Sequence, residues 1–430
     1  MRILLVKPAW SVPGGVYRVL HDVRFTPLHL GILAALSEGH DVTCVDGDRQ
    51  EIPYGSDFDL VGITATTFTS ERAYEIAARF RQKGAKVVMG GVHPSILPEE
   101  CLEHSDAVVV GEAEYVWPEL LKDAARDALK RTYRCDTPVA MDDVPFPRRD
   151  LLGESEWFAC VQATRGCPNR CRYCYLPTVP WHAWRSRSVD LVLREVESCP
   201  QDVIFFVDDN LFADRKYALE LCRKMGRLNK LWSVQAPTTV AGDEELLRAM
   251  SDSGCFYVPV GFQTVNADSL EWARVQNRVE EYARVVRRFH AHGILVGGFF
   301  ILGFDDDGPG IFRRTSDVIK AMDLDVAHLY ILTPYPGTEF YDELKSTGRL
   351  LDGKDRLNYG WANAVFRPKL MSPEALERGV ESASARLQGF FRRKLPATVL
   401  KRLSWSWRHP SLLGAAIRGA IRQARGTKES

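Results

Sequence analysis

The chain has 430 residues, 45% hydrophobic and 26% charged, with 56 basic side chains balancing 56 acidic ones. That length allows two or three domains with sizeable cores, and the composition is that of an ordinary soluble protein, with no apolar run approaching a bilayer span. The charge is unevenly placed: from Arg386 onward eleven Lys/Arg face one acidic residue, Glu429, so the rest is about ten net negative and the tail is a distinct basic segment.

Met1-Arg2 runs straight into the apolar Ile3-Leu4-Leu5-Val6, with no signal-peptide pattern. Further strands are predicted at 41–46, 60–65, 86–90 and 107–110, and helices at 28–36, 70–83 and 117–129. Five short apolar strands separated by helices argue a parallel, doubly wound, Rossmann-like sheet, which binds ligands at the carboxyl ends of its strands. The loops there hold Gly14 and Gly15, then Thr64, Thr66 and Thr67, then Gly90-Gly91-Val92-His93-Pro94-Ser95, then Gly111-Glu112-Ala113-Glu114. Glycines permit close backbone approach and hydroxyls bind a polar rim, so these residues read as a nucleotide-like or cofactor site.

Residues 136–156 carry Pro138, Pro145 and Pro147 and read as an extended linker. From residue 157 the alternation lengthens, with strands expected at 158–163, 203–207, 232–235, 256–261, 295–302 and 326–332 and helices at 189–197, 216–228, 244–251, 279–292 and 311–322. The loop after the first of these strands holds Cys167, Cys171 and Cys174 at Cys-x-x-x-Cys-x-x-Cys spacing, while the other seven cysteines are scattered, as in a reducing cytoplasm. Thiolates this close can converge on a soft metal centre. A structural zinc wants four ligands and a filled [4Fe–4S] cluster four cysteines, so three leave one iron open for a small ligand. A zinc loop with a remote fourth ligand, or chance clustering, is the other reading.

The spacing, with Tyr173 before the last cysteine, resembles the radical S-adenosylmethionine (SAM) superfamily. The sheet region ahead of it, with its Gly-Gly-Val-His-Pro-Ser and Gly-Glu-Ala-Glu loops, resembles the cobalamin-binding domain of cobalamin-dependent radical SAM enzymes. The resemblance implies an α/β chain with a cobalamin-binding domain over 1–135, a partial (β/α)6 barrel over 157–350 and a helical, basic segment over 351–430. It implies a [4Fe–4S] cluster on Cys167, Cys171 and Cys174, with SAM contacts from Tyr173, Asp208, Asp209, Gln235, Gln263 and Gly303. Gln263 stands where relatives often have glutamate, and Asp208-Asp209 resemble an acidic variant of a Gly-Gly-Glu; a plain turn or helix cap is the other reading of those two aspartates. Cobalamin would be met by Gly14, Gly15, Thr64, Thr66, Thr67, Gly90, Gly91, His93, Gly111, Glu112 and Glu114. The family's Asp-x-His-x-x-Gly motif is missing, which implies cobalamin without a protein histidine on cobalt and makes His93 a backbone-contacting or solvent-facing residue. A domain that binds nothing, or another ligand, is the alternative. Arg165 would either offset the charge of a cluster or lie on the surface.

Tyr335, in Thr333-Pro-Tyr-Pro-Gly-Thr338, would face the barrel mouth as a substrate or cobalamin contact, or shape a proline turn. Asp305-Asp306-Asp307 reads as a solvated loop. In the tail, Leu413, Ile417, Ala420 and Ile421 share one helical face and Arg418, Arg422 and Arg425 another, with Trp405 and Trp407 upstream. Such a segment lies on an anionic membrane surface or packs as a lid, and the two readings weigh evenly. The expected activity is transfer of a methyl group from methylcobalamin to an unactivated carbon of a small-molecule or lipid-like substrate, after a 5′-deoxyadenosyl radical has abstracted hydrogen. The alternatives are a cyclisation or rearrangement of tetrapyrrole type and, from another class, a non-catalytic cobalamin- or cluster-binding regulator. An external electron donor of flavodoxin or ferredoxin type is implied, no nucleic-acid motif is present, and a cytoplasmic, optionally membrane-peripheral location is expected.

Overall fold

A computed structural model describes residues 1–10, 25–153, 155–351 and 359–406. Gly14, Gly15, Trp407 and the tail stripe from Leu413 to Arg425 lie outside the described residues. The first domain runs β1 (Arg2–Lys7), α1 (Leu28–Ala35), β2 (Asp41–Asp46), β3 (Leu60–Thr64), α2 (Ser70–Gln82), β4 (Lys86–Gly90), α3 (Val92–Ile96), α4 (Pro98–His104), β5 (Ala107–Val110), α5 (Trp117–Ala125) and β6 (Thr132–Arg134). Its sheet is parallel throughout, in the order β2-β1-β3-β4-β5-β6. Leu4, Val6, Val61 and Ile63 pack under α2 and α4, while Ile3, Leu5 and Leu60 pack under α1 and α5. Burial on both faces is why these strands are unbroken apolar runs rather than alternating ones. The strand order reverses between β1 and β3, so the crevice of this sheet opens at the ends of those two strands.

The second domain adds β7 (Phe158–Val161), β8 (Thr164–Arg165), β9 (Arg185–Ser186), α6 (Val189–Ser198), β10 (Val203–Phe206), α7 (Arg215–Met225), β11 (Leu231–Val234), α8 (Glu244–Asp252), β12 (Cys255–Gln263), α9 (Ala267–Trp272), α10 (Tyr282–Ala291), β13 (Leu295–Leu302), α11 (Ile311–Ala321), β14 (Val326–Ile331), α12 (Glu339–Ser346) and α13 (Pro373–Ser406). Strands β7, β10, β11, β12, β13 and β14 pair in sequence order and in parallel, and the ladder does not close from β14 back to β7. This is a barrel missing a side. Val258, Val260, Phe262, Phe300, Leu329 and Ile331 are buried beneath the helices. The alternate residues Tyr257, Phe299, His328 and Tyr330 are half-buried and line the inside.

Four features depart from the expectations. A sixth strand, β6, extends the first sheet; three residues with one apolar side chain carry too little pattern to be read. The stretch expected as an extended linker packs instead: Val139, Met141 and Val144 share a core with Leu28 and Ile32 of α1 and Cys160 of β7. Below it, the buried Glu195 of α6 pairs with Arg187 and, at 2.6 Å, with Arg149. Asp305 and Asp307 are not solvated, since Asp305 pairs with Arg349 and Lys369, and the buried Asp307 accepts the backbone N–H of Gly303 and Phe304. Finally, the first turns of α13 close over the barrel, burying Leu376, Val380, Ala383 and Leu387 in its core. Among the described residues, no helix is long and apolar enough to cross a membrane.

Candidate functional site

The three cysteines follow β8 at the carboxyl end of β7, where a barrel presents its chemistry. Gly166 opens the loop at φ +84°, and a Cβ there would strike the Ala183 carbonyl. The Cys167 N–H bonds the His182 carbonyl at 3.1 Å, and Asn210 Nδ2 donates to Cys167 Sγ at 3.6 Å. All three thiols are partly accessible. Burial pushes Cys171 up to about 11 and Cys174 up to about 12, with the neighbouring thiols acting in the same direction. Among the described residues no three His, Cys, Asp or Glu side chains converge tightly enough to hold a single ion. Three cysteine thiols carried on one loop are the donor set that an iron–sulfur cluster takes.

The aspartates after β10 serve this loop directly. Buried Asp208 accepts the hydroxyl of Thr164 at 2.6 Å, the N–H of Ala163 at 3.1 Å and the N–H of Thr164. Its burial raises it to about 7 against the pull of those donors. Asp209 accepts the Gly166 N–H at 2.9 Å and is also raised, again chiefly by burial. Asp208 thus braces the backbone ahead of the cysteines rather than opening toward a cofactor, while Asp209 remains half-buried at the loop's rim.

The Tyr173 hydroxyl donates to Gln263 Oε1 at 2.9 Å, tying the cysteine loop to the end of β12. Gln263 sits at φ +70°, a left-handed conformation costly for a side-chain-bearing residue. Gln235, just after β11, is exposed. Gly303 follows β13 at φ +101°, and Leu376 of α13 packs where its Cβ would be.

In the first domain the loops are largely occupied by the protein itself. Glu112 is buried and meets Arg165 at 2.9 Å, Arg185 at 2.8 Å and the Val139 N–H at 2.8 Å; Glu114 meets Arg165 at 2.7 Å. These carboxylates clamp the sheet domain to the cysteine loop instead of facing a ligand, and Arg165 is neither a surface residue nor unpaired. His93 corrects the solvent-facing expectation: it is fully buried, 3.0 Å from the Tyr74 hydroxyl. Thr66 caps a short turn by bonding Thr69, and Thr67 is buried. Gly91 and Gly111 pack on Thr64 and Cys135. Thr64 and Gly90 are half-buried at the carboxyl ends of β3 and β4. Sequence reasoning missed His29 in the first turn of α1. It is exposed and lies near Lys7, Asp46 and Arg165.

The sheet crevice and barrel mouth meet in aromatic rings. Trp10, after β1, lies 5.3 Å from Phe68, after β3, and 4.9 Å edge-on from Trp361. Trp361 stands 5.3 Å from Tyr330 and donates its indole N–H to the Tyr335 hydroxyl at 2.9 Å. Tyr335 in turn sits edge-on to Tyr175 of the cysteine loop at 6.3 Å. Tyr335 is half-buried and joins Trp361 to the cysteine loop, and these ring pairings could not be read from sequence.

Comparison with known proteins agrees with this geometry. Residues 26–121 match the B12 binding domain and residues 161–319 the Radical SAM superfamily. The chain is 32% identical over 409 residues to the bacteriochlorophyllide d C-12(1)-methyltransferase of Chlorobaculum tepidum, covering 89% of this chain and 86% of that one. It is 28% identical over 369 residues to the C-8(2)-methyltransferase of the same organism, covering 80% and 81%. The radical S-adenosylmethionine methyltransferase TsrM of Kitasatospora setae, solved with cobalamin and a [4Fe-4S] cluster bound, shares the fold with TM-score 0.64 at 20% identity, over 88% of this chain and 84% of that one.

Proposed function

The chain belongs to the cobalamin-dependent radical SAM family, and from that premise we propose that it methylates a peripheral carbon of a flat, tetrapyrrole-type substrate seated where the sheet crevice meets the barrel mouth. It is an enzyme of the methyltransferase kind, with a [4Fe–4S] cluster, SAM and cobalamin as cofactors. When bound, these supply one electron, a hydrogen-abstracting radical and a transferable methyl group. Cys167, Cys171 and Cys174 would hold the cluster, and Thr64, Gly90 and His29 would border the cobalamin.

The chain's own part is positioning. Asp208 and Asp209 fix the backbone from Ala163 to Gly166, so the cysteines emerge from a rigid base. Gln263 holds Tyr173 against the end of β12. Glu112 keeps the two domains in one register, which matters because a carbon radical must meet its methyl donor within contact distance. The single observation that carries the substrate class is the continuous aromatic wall of Trp10, Phe68, Trp361 and Tyr330, which offers faces and edges to a large π-system. The kinship with two bacteriochlorophyllide methyltransferases supports the same class.

We also propose a flavodoxin- or ferredoxin-type electron donor and a peripheral contact of the basic tail with anionic membranes, supported by its arginines and tryptophans. The test of the reaction is its coproducts. The reduced, reconstituted enzyme given a chlorophyllide should release S-adenosylhomocysteine together with 5′-deoxyadenosine. Release of 5′-deoxyadenosine alone would overturn methylation and favour cyclisation.

A further inference from the structure

We propose that His328 is a substrate-binding residue whose imidazole nitrogen takes the open axial position on the central metal of a metallated tetrapyrrole inside the barrel. The proposal rests on the substrate reading above. His328 lies on β14, in register with Phe299 of β13, and alternates inward with Tyr330. The rings of Phe299 and Tyr330 lie 5.5 Å and 6.4 Å from it, so it is bracketed by aromatic faces in the wall that continues to Trp361.

Its surroundings separate it from the other histidines of this domain. His290 bonds Asp325 at 2.8 Å, His292 bonds Glu244 at 3.2 Å and His182 reaches the Val179 carbonyl at 3.2 Å. Neither ring nitrogen of His328 has a hydrogen-bond or ion-pair partner among the described residues, and neither is sealed from the interior space. Burial alone holds the imidazole down to about 4, and no charged group contributes, so its lone pair is free at neutral pH. A neutral imidazole whose nitrogen opens onto the interior space is free to accept a metal ion there. The four nitrogens of a tetrapyrrole leave its magnesium an axial site, and a planar ring held there would lie along the aromatic wall. A purely hydrocarbon substrate offers this nitrogen neither a metal nor a donor, whereas a magnesium macrocycle offers an axial site.

The test is binding, read by absorption, with the full reconstituted chain. Magnesium chlorophyllide and the same macrocycle without its metal are titrated against wild type and His328→Phe, which keeps a ring in the recess. Wild type should prefer the magnesium form by about tenfold, roughly 1.4 kcal/mol, with a band shift marking an added axial ligand. His328→Phe should bind both forms equally, at the affinity of the metal-free one, and free imidazole should restore the band shift in His328→Ala. Equal binding of both forms by wild type, or an undiminished preference in His328→Phe, overturns the role of His328 while leaving the substrate class standing. Failure of wild type to bind either form overturns both.

Discussion

Arg165, two residues ahead of Cys167, meets Glu112 of the other domain at 2.9 Å. One carboxylate, shared with Arg185, therefore joins the cysteine loop to the loop after β5 of the sheet. Burial alone would raise Glu112, but the hydrogen bonds from Arg185 and Arg165 outweigh it and hold the carboxyl below the usual range. A depressed carboxylate stabilises above its unfolded pKa of about 4.3, and the contribution is lost as pH falls through the lower folded value. Glu112→Gln leaves two arginines short of charge and should cost about 3 kcal/mol at neutral pH. Denaturant unfolding checks this; an unchanged midpoint would show that the clamp carries no stability.

Asp208 behaves oppositely, because burial raises it to about 7. A raised carboxylate stabilises fully below its unfolded pKa of about 3.9, and that stability is lost as pH rises through about 7. Asp208→Asn keeps an oxygen for Ala163 and Thr164 but cannot ionise. Between about pH 4 and 7 the variant should lose the wild-type decline in stability, measured by thermal unfolding across pH. Parallel profiles would contradict it.

Gly303→Ala should destabilise the barrel by about 3 kcal/mol, because a left-handed backbone and a crowded core add. The new Cβ would lie 2.6 Å from Leu376 Cδ2 at φ +101°. Unfolding of the variant should begin at α13, seen as faster hydrogen exchange around Leu376.

Cys167→Ser, Cys171→Ser and Cys174→Ser should each lose most bound iron and sulfide after anaerobic reconstitution. Cys222→Ser, on the buried face of α7, should retain both. Iron analysis reads this directly, and equal retention in all four would remove the cysteine loop from the cluster's ligands.

Removing residues 396–430 takes away most of the basic tail and should release the protein from anionic liposomes. Co-sedimentation measures it; undiminished binding would sink the membrane contact.

The cysteine spacing and both parallel sheets were legible because each depends on local pattern. Glu112 was legible as part of a loop motif but not as a clamp, since its partners Arg165 and Arg185 lie 53 and 73 residues away. His93 was misread because a histidine before proline looks loop-like, whereas α3 turns its ring toward Tyr74. Gly303 was legible as a strand-end glycine, but the helix that packs against it, α13, lies beyond the barrel in the chain. His328 and Tyr330 sit in an ordinary strand, and only the pairing register shows that they face inward beside Phe299. Pattern reports which residues an element contains; what lies across a gap between elements must be measured.

The most direct measurement is the fate of the methyl group. The reduced, reconstituted enzyme is given cobalamin, a magnesium chlorophyllide and SAM carrying a deuterated methyl. The account predicts a macrocycle enlarged by one methylene that carries the label at a peripheral carbon. Steady formation of 5′-deoxyadenosine with an unlabelled macrocycle would contradict it.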